Sequence, residues 1–209
     1  MKPGLVIVDR DGVINFDSDA YIKSVSEWIA IPGSLEAIAR LSRADYRVVV
    51  ATNQSGIARG LYDMDTLNRI HQKMAKALGE QGGRIDAIFF CPHGPDDNCD
   101  CRKPKPGLLH EIKDRLKVEL AGVPLVGDSL RDLECAEAVG ALPILVRTGK
   151  GPRTLPQLET AQAAGKLLET VVFDDLAAFT ESLLRGDLED AIAAYFEKHP
   201  RAFTVTIHK

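Results

Sequence analysis

Aromatic residues are scarce, 6% of 209 with a single Trp, and no apolar run approaches the roughly 20 residues that cross a bilayer as a helix. The N-terminus has no hydrophobic region of the secretory type, so the expectation is a cytoplasmic protein without a membrane partner. Positive charge is also short. The 26 Lys and Arg against 30 Asp and Glu leave a formal charge of -4, which argues against a nucleic-acid partner. Any phosphate site must therefore concentrate cations locally. The four cysteines are too few and too clustered for a disulfide framework, and Cys91, Cys99 and Cys101 in one segment suggest metal ligation in a reducing compartment. There is no internal repeat, low-complexity tract or flexible interdomain linker, and the length suits one well-buried domain with at most an appendage.

The chain opens with Leu5-Val6-Ile7-Val8, bounded by Pro3-Gly4 and Gly12, which predicts a strand covered on both faces. It runs into Asp9-Arg10-Asp11. Alternation along an extended chain predicts that Asp9 and Asp11 share one side while Arg10 points away. Two acids facing one small volume suit a cation or a shared proton, although Asp and Gly are also ordinary turn residues.

Residues 13–31 read as a long loop over the C-terminal end of that strand, with Trp28 packing against the core. Pro32-Gly33-Ser34 opens a helix. Tyr46 to Thr52 predicts a second buried strand feeding a polar loop, Asp65 to Leu78 an amphipathic helix, and Ile85 to Phe90 a third strand. Further helices are expected over Pro106 to Leu120 and Asp132 to Val139, with Cys135 a small core residue, and strands over Pro124 to Val126 and Leu142 to Val146. Beyond Pro152 the pattern weakens to a strand at Val171 to Phe173, helices at Leu176 to Leu184 and Leu188 to Phe196, and a strand at Phe203 to Ile207. Strands alternating with helices predict an α/β fold, a doubly wound, Rossmann-like parallel sheet with helices on both faces. Its ligands would bind beyond the strand C-termini, where Asp9, Thr52, Cys91 and Asp128 fall.

Phosphoryl transfer through a carboxylate nucleophile needs such a set. One carboxylate attacks phosphorus, and a second, two residues on, protonates the leaving oxygen and then deprotonates water. Mg²⁺ prefers hard oxygen ligands such as Asp9 and Asp128, while Thr52, loop amides and a lysine serve the phosphate.

Asp9-Arg10-Asp11-Gly12-Val13, Thr52-Asn53, Lys103 and Gly127-Asp128-Ser129-Leu130-Arg131-Asp132 resemble, in order and spacing, the four motifs of the haloacid dehalogenase superfamily of aspartate-nucleophile phosphatases. The resemblance spans residues 5 to 150. It implies that Asp9 is the nucleophile and Asp11 the general acid/base. Mg²⁺ would lie on Asp9, Asp128 and the backbone carbonyl of Asp11, with Thr52, Asn53 and Lys103 around the phosphoryl group. Asp132 matches the second acid of the last motif, with a role either in orienting a basic group or in capping its helix.

Cys91-Pro92-His93 followed by Cys99-Asp100-Cys101 forms a C-x-H-x₅-C-x-C array. Three thiolates and an imidazole complete a tetrahedral Zn²⁺ shell with no open position, which predicts a structural zinc that orders an Asp-rich loop. That loop leads into Arg102-Lys103-Pro104-Lys105 and fixes where these cations point.

Acid motifs with a zinc loop resemble a branch of the superfamily that lacks a large cap domain and acts on heptose bisphosphates or histidinol phosphate. The run Thr52 to Gly60, containing Gln54, Ser55 and Arg59, together with Arg102-Lys103-Pro104, is similar to the heptose-specific members. The resemblance implies removal of the 7-phosphate of a heptose bisphosphate in nucleotide-heptose biosynthesis. Arg59, Arg102 and Lys105 are available for the distal phosphate, with Lys150 behind them. The five-residue gap between His93 and Cys99 also suits the histidinol-phosphate relatives, and a silent zinc-stabilised binding protein is the reading from another class. The expected organisation is a monomer with a phosphatase domain over 1–185 and a C-terminal extension over 186–209.

Overall fold

The computed structural model describes residues 4–198. Six parallel strands lie in the order β3-β2-β1-β4-β5-β6: β1 (Leu5–Val8), β2 (Arg47–Asn53), β3 (Ala87–Cys91), β4 (Pro124–Gly127), β5 (Leu142–Val146) and β6 (Val171–Phe173). Helices α1 (Ser34–Arg43), α2 (Met64–Glu80), α3 (Gly107–Leu116), α4 (Leu130–Glu137), α5 (Gly151–Ala163), α6 (Leu176–Arg185) and α7 (Glu189–Lys198) complete the element order. The expected doubly wound α/β sheet is present.

Period-two alternation in the central strand divides the core. Val6 and Val8 pack with Ile38 and Leu41 of α1, Ile70 and Met74 of α2 and Phe179 of α6. Ile7 faces the other way, toward Leu109 and Ile112 of α3 and Cys135 and Ala136 of α4. Each such aliphatic side chain is fully buried and contributes roughly 1.5–3 kcal/mol relative to exposure. Trp28 is buried in the first of these clusters, and Leu188 and Tyr195 bring α7 onto it.

The chain leaves β1 toward β2 on one side and returns at β4 on the other, so β1 and β4 bound the point where strand order reverses. Such a reversal leaves a crevice beyond the strand C-termini. Register sets what reaches it: Val8 pairs with Val126 and Val50, so Asp9 stands level with Gly127 and Ala51, one residue short of Asp128 on one flank and of Thr52 on the other.

Some boundaries depart from expectation. The helix expected over Pro106 to Leu120 ends at Leu116, because Lys117 turns left-handed at φ 53°. The helix expected from Asp132 begins at Leu130, two residues earlier. Helix α5 was not foreseen. Pro152 costs it little in the first turn, but Pro156 removes an interior hydrogen bond, and Thr154 with Leu158 gives only a faint stripe. The strand expected at Phe203 to Ile207 lies outside the described residues.

Candidate active site

Beyond the strand ends is a cavity of about 330 Å³ lined by Asp9, Asp11, Thr52, Asn53, Gln54, Ser55, Arg59, Arg102, Lys103 and Asp128. The expected catalytic, magnesium and phosphate residues therefore line one space, Lys105 excepted. Asp17, Tyr21 and Lys150 line it as well, so the 13–31 loop does cover the strand ends.

Three acids converge: Asp9, Asp128 and Asp132 each bring a carboxylate oxygen within 4.8 Å of the others. Lys103, buried two residues after Cys101, places its ammonium 2.5 Å from Asp132 Oδ1, 3.1 Å from Asp9 Oδ2 and 2.7 Å from the Ala51 carbonyl. Burial disfavours the Lys103 charge, but Asp132 and Asp9 outweigh it and hold its pKa above the ordinary lysine range. Asp132 also accepts from the Ser129 backbone N–H and hydroxyl through Oδ2, at 3.1 and 2.6 Å. It thus performs both of the roles considered for it, orienting a cation and closing the capping box of α4.

With both Asp132 oxygens engaged, Asp9 and Asp128 are the acids left facing each other. Burial, reinforced by Asp132 and Asp11, pushes Asp9 up to about 6 despite Lys103. Burial, then the charges of Asp132 and Asp9, pushes Asp128 up to about 8. Two buried hard-oxygen ligands whose negative charge is disfavoured by burial and by neighbouring acids fit a divalent cation. Asp128 is held rigidly, with Oδ2 accepting from the Lys150 N–H at 2.7 Å and its own carbonyl accepting from the Thr154 hydroxyl at 2.8 Å. Gly12 and Gly149 make room for it: a Cβ on either would fall 1.9 or 2.2 Å from Asp128 Oδ2.

Asp11 occupies a different environment. Its Oδ1 accepts from Arg10 and from Asn15 Nδ2, and its Oδ2 accepts from Arg10 and Gln54 Nε2, all within 2.9–3.0 Å. Burial pushes the Asp11 pKa up, yet the Arg10 charge and the Asn15 and Gln54 hydrogen bonds together hold it below the usual carboxylate value. Here the expectation for Arg10 fails. Strand β1 ends at Val8, so strict alternation no longer applies, and the fully buried Arg10 curls back onto Asp11.

Several expected phosphate ligands are otherwise engaged. The Asn53 side chain exchanges two 3.1 Å hydrogen bonds with the Lys103 backbone. Gln54 gives its amide hydrogens to Asp11 and Thr52 and its backbone N–H to the Cys91 carbonyl. Lys105 does not line the cavity and lies 3.4 Å from Asp100. Arg59 is exposed, 5.9 Å from the Tyr21 ring centre, and Arg102 donates to the His93 carbonyl at 3.2 Å.

Cys91, at the end of β3, joins His93, Cys99 and Cys101 with all ligand atoms within 4.8 Å. Cys91 Sγ lies 3.6 Å from Cys99 and 3.3 Å from Cys101, and His93 Nδ1 lies 3.2 Å from Cys101. These spacings far exceed a disulfide bond of about 2.05 Å and approach the edges of a tetrahedron with metal–sulfur bonds of about 2.3 Å. The donor set therefore fits zinc.

Residues 7–131 match the family described as Polynucleotide kinase 3 phosphatase, and residues 100–178 match one described as HAD-hydrolase-like. The D-glycero-beta-D-manno-heptose-1,7-bisphosphate 7-phosphatase of Bordetella bronchiseptica is 60% identical over 182 residues, 87% of this chain and 98% of that protein. The chain belongs to this phosphatase family of the haloacid dehalogenase superfamily. Its Pseudomonas aeruginosa member is 56% identical, covering 88% of this chain and 100% of the relative. The crystal structure of D,D-heptose 1,7-bisphosphate phosphatase from B. bronchiseptica, complexed with magnesium and phosphate, superposes with a TM-score of 0.82 over 88% of this chain and 99% of that one, at 60% identity. The Burkholderia thailandensis enzyme gives 0.66 over 87% and 98%, at 50% identity.

Sequence reasoning missed Asn15, Tyr62 and His71 around Asp11, and the Gly149-Lys150 backbone beside Asp128. Asn15 lies only four residues beyond Asp11, the others reach the site from distant parts of the chain, and none carries a local motif. A charged Arg10 at the end of an apolar strand was the available signal.

Proposed function

We propose that the protein hydrolyses the 7-phosphate of D-glycero-β-D-manno-heptose 1,7-bisphosphate through an aspartyl-phosphate intermediate, with Asp9 as nucleophile. The observation that carries this reading is the division of labour between two acids two residues apart. Asp9 stands against Lys103 and facing Asp128, whereas Asp11 is held apart from them by Arg10, Asn15 and Gln54. One is placed to attack, the other to exchange a proton.

Asp9 and Asp128, with the backbone carbonyl of Asp11, would hold Mg²⁺, which when bound screens the repulsion between carboxylate and phosphate. Lys103 adds fixed positive charge at Asp9, and Thr52, near the end of β2, lines the same cavity. Attack by Asp9 on phosphorus breaks the bond to the C7 oxygen, and Asp11, whose donors favour the carboxylate in the resting site and which must be protonated in the substrate complex, supplies the proton that oxygen takes up. Asp11 then takes a proton from the water that cleaves the acyl phosphate and frees Asp9. Arg59, Arg102 and Lys150 at the cavity mouth supply charge for the 1-phosphate. A 330 Å³ cavity and a net charge of -4 suit a small sugar phosphate better than a polynucleotide.

Zinc on Cys91, His93, Cys99 and Cys101 would brace the segment that presents Arg102 and Lys103. Thiolate ligands suit a reducing cytoplasm, and no described helix is long and apolar enough to cross a membrane. We assign the phosphatase domain to residues 1–185 and a packing role to the segment that follows, through Leu188 and Tyr195. Product entering nucleotide-heptose synthesis completes the reading.

Side-by-side turnover of heptose 1,7-bisphosphate and histidinol phosphate with Mg²⁺ tests the substrate. Higher kcat/KM on the heptose is expected. Preference for histidinol phosphate moves the assignment to that alcohol, and no phosphate release from either leaves a binding protein.

A further inference from the structure

Behind each of the three groups that hold the Asp11 carboxylate stands a second side chain. Trp28 donates its Nε1–H to Asn15 Oδ1 at 3.0 Å, and Asn15 turns Nδ2 to Asp11 at 2.9 Å. The Tyr62 hydroxyl donates to Gln54 Oε1 at 2.7 Å, and Gln54 turns Nε2 to Asp11 at 2.9 Å. His71 Nε2 lies 3.3 Å from Arg10 Nη1, while Arg10 reaches Asp11 through Nε and Nη2.

A carboxamide can present either its oxygen or its nitrogen, and only the nitrogen is compatible with a carboxylate opposite. An indole N–H is a donor and nothing else, so Trp28 admits only the oxygen of Asn15 and leaves the nitrogen for Asp11. Tyr62 donates to the oxygen of Gln54 and so supports the orientation in which the nitrogen faces Asp11, although a phenol can also accept and does not enforce it alone. The Asp11 carboxylate opposite, which can only accept, completes the choice at this 2% exposed amide. Burial and the Arg10 charge hold His71 down to about 4, so the ring is neutral and its Nε2 can accept from Arg10.

We infer that Trp28, Tyr62 and His71 are positioning residues for Asp11, fixing how Asn15, Gln54 and Arg10 direct their hydrogens at its carboxylate. The inference rests on the reading of Asp11 as general acid and base. The geometry of Asp11 matters most when the leaving oxygen needs a proton as its bond to phosphorus breaks. A sugar alkoxide needs one and p-nitrophenolate does not. A displaced Asp11 therefore slows alkyl phosphates selectively, which a general loosening of the fold does not.

The experiment compares kcat/KM on heptose 1,7-bisphosphate and on p-nitrophenyl phosphate for the parent, Asp11→Asn, Tyr62→Phe and Trp28→Phe. Both phenylalanine variants keep an aromatic ring and delete the donor. Each is expected to lose about tenfold on the heptose and less than about twofold on the aryl ester, a fraction of the 10²–10⁴ that acid–base catalysis supplies. Asp11→Asn should show the same bias more strongly. If Trp28→Phe fails to fold, Tyr62→Phe and His71→Leu, with rescue by His71→Gln, decide the matter. Equal losses on both substrates, or no loss on either, overturn the positioning role while the Asp11→Asn bias stands. Absence of bias in Asp11→Asn overturns the acid–base reading beneath it.

Discussion

The Lys103 ammonium lies 3.1 Å from Asp9 Oδ2, and the lysine is 2% exposed. Its second acid, Asp132, is wholly buried at 2.5 Å, so the cation is shared between the carboxylate proposed to attack phosphorus and a structural one. Lys103→Met leaves both acids without their countercharge. Turnover should be lost, and stability should fall by about 3–5 kcal/mol, the usual cost of orphaning one partner of a buried pair. Adding Asp132→Asn should recover much of the stability, measured by urea unfolding, and none of the turnover.

The raised acids make stability depend on pH and on metal. Asp9 and Asp128 titrate at about 6 and about 8 in the folded protein against 3.8 for the free side chain. Between these values the folded state binds more protons than the unfolded one. Their contribution is therefore complete below about pH 4 and is lost as pH rises through 6 and then 8. Thermal melting of metal-free protein should show this decline. Mg²⁺ should raise Tm more at pH 8 than at pH 5, since it replaces the protons.

Gly12 adopts φ +81°, and a Cβ there would sit 1.9 Å from Asp128 Oδ2, whereas Gly165 adopts φ +77° with open space around it. Both alanine variants incur backbone strain of about 1–3 kcal/mol. Only Gly12→Ala should also weaken Mg²⁺ binding, measured by titration calorimetry, because only there must the Asp128 carboxylate move.

The cluster of Cys91, His93, Cys99 and Cys101 should carry about one zinc per chain by elemental analysis, as a closed four-ligand site requires. Cys101→Ser should lower the zinc content and the Tm. It should also reduce turnover, because Arg102 donates to the His93 carbonyl of the same loop and Lys103 is the next residue in the chain.

Local pattern reached far in this chain. Apolar strands ending in polar loops placed Asp9, Thr52, Cys91 and Asp128 at the strand C-termini, and ligand spacing picked out three Cys and one His that the fold does cluster. Period and spacing are local properties and survive folding. What escaped was set by tertiary contact. Arg10 reverses direction because a carboxylate and His71 receive it, and Asn53 and Gln54 turn to protein partners that no spacing reveals. Helix α5 escaped because two prolines obscured a stripe that burial of Thr154 and Leu158 makes sufficient.

The central claim is that phosphate passes through the Asp9 carboxylate. Acid quenching of a single turnover, with substrate labelled in the 7-phosphate and Mg²⁺ present, tests it most directly. The account predicts label transiently bound to protein, mapping to Asp9 and absent in Asp9→Asn. Free labelled phosphate from the parent with no protein-bound stage, or undiminished turnover in Asp9→Asn, would contradict it.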